Sequence, residues 1–121
     1  MRILIADGQP PLPQGFATAL QIDQIDMLAA DGFAAALDMA RQNGPFDLLL
    51  LDLSLPEMAD LAGLKQAVAQ FPDLRIALMA ETIPSGLVEQ AVGLGAVGCL
   101  PKLVALKSLV HAIRFMASPK V

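Results

Sequence analysis

The sequence has no tryptophan or tyrosine, one histidine, His111, and one cysteine, Cys99. A single cysteine cannot close an internal disulfide, so the fold is not cross-linked and a reducing cytoplasm is the expected compartment. No charged-then-apolar leader with a small-residue cleavage site opens the chain, and no apolar run is long enough to cross a bilayer, so no membrane contact is expected. His111 has no metal cluster or catalytic dyad around it. Charge is sparse, 17% of residues against 55% hydrophobic, which leaves apolar surface for a partner to cover and makes self-association expected. Acidic residues stop at Glu89, while Lys102, Lys107, Arg114 and Lys120 all lie beyond it. That asymmetry reads as a solvated basic helix face. A net charge of −4 argues against nucleic acid as the domain's own ligand, because phosphate binding draws on clustered Lys and Arg.

The chain's 121 residues suit one domain, 1–121, large enough to bury a single core without a metal or disulfide. Five short apolar runs, RILIA (2–6), IDMLAA (25–30), FDLLLL (46–51), RIALMA (75–80) and GCL (98–100), alternate with segments of helical period. The helical segments are 12–21, 32–44, 60–71, 85–95 and 103–116, with Asn43-Gly44-Pro45 and Pro72 as stops and Ser85 as a possible cap. Alternation of this kind predicts an α/β fold: a parallel sheet with helices on both faces. Strands covered on both sides read as unbroken apolar runs, as FDLLLL does. Five units fit the flavodoxin-like strand order 2-1-3-4-5, whose ligands sit beyond the carboxyl ends of the strands where the order reverses, between the first and third. Asp7 ends the first of these and Asp52 the third.

Two carboxylates at adjacent strand ends need a counter-ion or a proton. Lys102, just past the fifth strand, lies along the same edge. Two acids facing a lysine form a phosphoryl-transfer arrangement: one carboxylate helps hold Mg2+, the other attacks phosphorus, and the ammonium neutralises the transferred oxygens.

Over nearly its whole length the chain resembles the CheY-like receiver domain of two-component response regulators. The resemblance is carried by ILIADGQP, LLLLDLSLPEM and GLGAVGCLPK, which match the strand ending in acids, the phosphoacceptor strand and the strand ending in lysine. It implies that Asp52 is phosphorylated by a sensor histidine kinase, that Asp7, Asp52 and the Ser54 carbonyl hold Mg2+, and that Lys102 partners the phosphate. GAVGCLPK with the later SLVHAIRFMA is similar to receivers that precede a LuxR/NarL-type DNA-binding domain. DNA would then be met only through a C-terminal output domain, and the receiver would act as a homodimer. By family analogy the pairing surface would lie on the last helices and strand, around Leu87, Leu94 and Leu103.

Three positions depart from the family pattern. Gly8 stands in place of the second acid, so the Mg2+ site should be weakened, with a water filling the place. Ala80 stands in place of the switch Ser or Thr and offers no hydroxyl, unless Thr82 supplies one through a rearranged loop. Cys99 stands in place of the switch aromatic. These losses support a second reading, a phosphorylation-independent pseudo-receiver that serves as an interaction or dimerisation module. A hydrolase or flavin binder on the same fold lacks a second acid two residues after Asp52, a phosphate-cradling loop and a suitable aromatic pair.

The remaining motifs read as structure. Gly93, Gly95 and Gly98 spell GxGxxG but follow a helix and enter a strand, the reverse of the dinucleotide fingerprint, so they read as a helix end and a tight turn. His111 shares a solvated face with Lys107 and Arg114, opposite Leu106, Leu109, Val110 and Ile113. Cys99, in a short apolar strand, is expected to be buried and inert.

Overall fold

Leu48, Leu49, Leu50 and Leu51 are all fully buried, yet they belong to two different cores. Side chains alternate across a strand, so Leu49 and Leu51 face one side of the sheet and Leu48 and Leu50 the other. This is the physical content of the unbroken leucine run. In the computed structural model, which describes residues 1–8, 12 and 14–118, the strands are β1 (Arg2–Ala6), β2 (Asp26–Ala30), β3 (Leu48–Asp52), β4 (Ile76–Ala80) and β5 (Gly98–Pro101). All are parallel neighbours in the order β2-β1-β3-β4-β5, as the sequence predicts.

The helices are α1 (Phe16–Ile22), α2 (Phe33–Asn43), α3 (Ala62–Gln70), α4 (Leu87–Gly93) and α5 (Leu106–Ala117), with a 3₁₀ segment at Pro56–Leu61 before α3. One core joins Leu4, Leu49, Leu51, Ile76 and Leu78 to Phe33, Leu37, Leu64 and Leu87. The other joins Ile3, Ile5, Leu48, Leu50 and Met79 to Phe16, Leu20, Leu109 and Ile113. On α5, Leu109, Val110 and Ile113 are buried and Leu106 partly so, while Lys107, His111 and Arg114 are exposed. The basic face is solvated, and Arg114 bridges to Asp23 at the end of α1.

Where the helices begin differs from the sequence reading. α1 starts at Phe16 and α4 at Leu87, because Gly15 and Gly86 take left-handed backbone (φ 87° and 83°) that a helix cannot continue through. Ser85 therefore lies outside α4 and does not cap it. Gly95 (φ 111°) follows the end of α4 at the expected tight turn. Leu87 is buried in the first core, Leu94 is half-buried, and only Leu103 of that expected pairing surface is well exposed, so Leu87 cannot line it. Cys99 is half-buried rather than buried, and its thiol is pushed up by desolvation and then by Glu89, which keeps it protonated and unreactive. Gln9 and Pro10 of the first motif, Pro13 of the first helical segment and Pro119, Lys120 and Val121 of the tail lie outside the described residues. Among the described residues no helix is long and apolar enough to cross a membrane.

Candidate functional site

The sheet register brings the three chemical groups to one edge. Ala6 pairs with Leu51, so Asp7, one residue on, stands level with Asp52 on the neighbouring strand. Asp52 pairs with Met79 and Ala80 with Pro101, which puts Lys102 one step beyond the same edge. Lys102 lies two strands from Asp52, roughly 10 Å across the sheet. Its main chain is anchored by its N–H, which donates to the Ala80 carbonyl at 2.7 Å, and its side chain crosses the end of β4. The ammonium reaches both acids: it lies 2.9 Å from Asp7 Oδ1 and in direct contact with Asp52 Oδ2.

Burial sets the strength of this arrangement. Asp52 and Lys102 are each 1% exposed, and Asp7 is 28% exposed. Asp52 ends its strand as expected but sits beneath the edge, where an unpaired charge would be costly. Desolvation is the largest influence on its carboxyl and pushes the pKa up. The Lys102 ammonium, the Ser54 N–H and hydroxyl and the Gly8 N–H together outweigh it, so Asp52 is held below the ordinary aspartate value. Asp52 is therefore an anion at neutral pH.

That shift gives an expected pH dependence. A carboxyl whose folded pKa is depressed contributes stability that is full above its unfolded pKa and is lost as pH falls through the lower folded value. Thermal melts from neutral pH down to about pH 2 should show this loss, and Asp52→Asn should flatten it. Equal slopes for the two proteins would show that Asp52 carries none of the acid sensitivity.

Gly8 approaches both acids closely through its main chain. Its N–H donates to Asp52 Oδ2 at 2.7 Å and to Asp7 Oδ1 at 3.0 Å. A Cβ on residue 8 would fall 2.1 Å from Ser54 Oγ and 3.0 Å from Asp52 Cγ. Position 8 is thus more than a missing acid: its main chain is a donor to both carboxylates. Sequence reasoning does not reach this donor role, nor the Ser54 hydroxyl that meets Asp52, because the resemblance implies a role only for the Ser54 carbonyl. The Asp-Gly pair and the Ser two residues past Asp52 were the available signals. Thr82, the alternative hydroxyl, is exposed. Ala80 is buried at the end of β4.

Every carboxylate oxygen of the pair already accepts from nitrogen. Asp7 Oδ1 and Asp52 Oδ2 share Lys102 and Gly8, Asp7 Oδ2 accepts from the Leu12 N–H at 3.1 Å, and Asp52 Oδ1 from the Ser54 N–H at 2.9 Å. Among the described residues no group of three or more His, Cys, Asp or Glu is placed to hold a metal ion. As arranged, the carboxylate oxygens that Mg2+ would take are held by the Lys102 ammonium and the Gly8, Leu12 and Ser54 N–H groups, and an ion could bind them only by displacing those donors.

Comparison with known proteins agrees with this geometry. The family model described as the response regulator receiver domain matches residues 3–114. The transcriptional regulatory protein LnrK of Bacillus subtilis is 27% identical over 115 residues, covering 93% of this chain and 52% of LnrK. The transcriptional activator protein ExaE of Pseudomonas putida is 29% identical over 116 residues, covering 94% of this chain and 54% of ExaE. The chain therefore spans about half the length of these curated relatives. Among solved structures, the signal receiver domain of the putative response regulator NarL from Mycobacterium tuberculosis superposes with a TM-score of 0.81 at 26% identity, covering 98% of this chain and 97% of that one. A response regulator from Thermotoga maritima, at 21% identity and a TM-score of 0.82 over 98% of both chains, shares the fold. With the strand order, the acid pair and the buried lysine in place, the chain belongs to the response regulator receiver domain family of two-component signalling.

Proposed function

We propose that Asp52 accepts a phosphoryl group from the phosphohistidine of a sensor histidine kinase and that the resulting aspartyl phosphate biases dimerisation or contact with an output module. Receiver domains are regulatory phosphoacceptors rather than conventional enzymes, interact with histidine kinases and often dimerise. They generally bind Mg2+ at the acidic phosphorylation site. The single observation that carries the proposal for this chain is the buried Lys102 ammonium between Asp7 and Asp52 at the point where the strand order reverses.

In the transfer an Asp52 carboxylate oxygen attacks phosphorus, the P–N bond breaks, and its electron pair returns to the imidazole ring of the kinase. Lys102 neutralises the phosphoryl oxygens, and Asp7 keeps the ammonium in place. Asp52 is covered, so the Ser54 hydroxyl has to rotate away before the donor enters. The domain spans 1–121, acts in the cytoplasm as a homodimer, and meets DNA only through a C-terminal output domain. Exposed Val88, Val92, Leu103, Val104 and Phe115 supply the apolar surface for pairing.

The test is intact mass after incubation with acetyl phosphate. A single phosphoryl adduct is expected, absent from Asp52→Asn, with a phosphorylation-dependent dimer in sedimentation of the same samples. No adduct with acetyl phosphate or with candidate kinases would remove the proposal. It would leave the pseudo-receiver reading, which the full burial of Asp52 under Lys102, Gly8 and Ser54 favours.

A further inference from the structure

We propose that the Lys102 ammonium and the Gly8 N–H together are the resident cation of the acid pair, so that this site operates without a divalent metal ion and discriminates against one. The idea deepens the reading of Asp52 as phosphoacceptor and is tested apart from it.

Three observations carry it. First, the same two oxygens, Asp7 Oδ1 and Asp52 Oδ2, are bridged twice, once by Lys102 Nζ and once by the Gly8 N–H. A metal ion bridging those oxygens would have to displace both donors, and the positive end of each N–H dipole already points at the place such an ion would take. Second, the charge is nearly balanced. Two carboxylates and one ammonium leave a formal charge of −1, and Gly8 contributes no third carboxylate to pull in a doubly charged ion. A hard cation that gives up its waters reluctantly gains little from such a site. Third, the approach is built into the sequence. A Cβ on residue 8 would meet Ser54 Oγ at 2.1 Å and Asp52 Cγ at 3.0 Å, so any other residue would have to push the Ser54 hydroxyl aside to keep this approach. The glycine thus does chemical service, presenting main-chain N–H where a side-chain acid would otherwise recruit metal.

The experiment titrates the 15N-labelled protein with Mg2+ alone and follows the Gly8 and Ser54 amide resonances. The wild-type resonances should show no saturable shift up to about 10 mM Mg2+. Gly8→Asp adds a third carboxylate and forces the main chain off Asp52, and should bind Mg2+ at least about tenfold more tightly than wild type. Lys102→Met, if folded, should gain saturable Mg2+ binding and a melting temperature that rises with Mg2+. Saturable wild-type binding, or equal affinity in wild type and Gly8→Asp, overturns the inference. Parallel acetyl phosphate reactions with Mg2+ or EDTA separate the two proposals. Adduct in both supports this one, and adduct only with Mg2+ overturns it while leaving Asp52 as phosphoacceptor. A silent titration with no adduct in either supports the resident cation and removes the phosphoacceptor.

Discussion

Lys102→Met is expected to lose about 3–5 kcal/mol of folding stability in urea denaturation at neutral pH. Methionine keeps much of the unbranched stem that crosses the end of β4, so the loss isolates the charge. The size follows from what remains. Asp52, 1% exposed, becomes a buried carboxylate next to a second carboxylate with no cation between them. Buried pairs are weak stabilisers against apolar replacement of both members, but removing one member strands the other. Adding Asp52→Asn to Lys102→Met should recover part of the loss, because it removes one stranded charge while keeping an oxygen for the N–H groups of Gly8 and Ser54. A loss below about 1 kcal/mol would mean that the ammonium is not what balances the acid pair.

Leu50→Ala should cost about 2–5 kcal/mol. Leu50 is fully buried on β3 between Ile5 and Ala77 of the adjacent strands, in the core that α1 and α5 cover. Close packing on both faces of the sheet leaves little room to collapse around the missing atoms, so the cavity term adds to the lost transfer term. Phe115→Ala is the contrast. That ring is 80% exposed on α5, and its removal should change stability by no more than about 0.5 kcal/mol. A loss for Leu50→Ala as small as that for Phe115→Ala would mean that β3 is not closely packed on this face. The prediction bears on function because Asp52 follows on the same strand and takes its position from the register of β3 against β1 and β4.

The sequence by itself determined the class of fold and the gathering of the site. Unbroken apolar runs alternating with segments of helical period leave few topologies, and parallel strands put residues 7, 52 and 102, each at or just past a strand's carboxyl end, along one edge. Helix starts were less legible. Gly15 and Gly86 end up with positive φ, a choice made by the surrounding chain and not visible in residue identity. Distances were beyond reach altogether. That Asp52 lies beneath the edge, that Leu87 turns inward, and that the Gly8 main chain reaches within 2.7 Å of a carboxylate depend on side chains far apart in sequence filling the same volume. A substitution list shows only that an acid is missing at position 8. Only the packed structure shows what took its place, because steric exclusion at the scale of one Cβ atom is a property of neighbours in space.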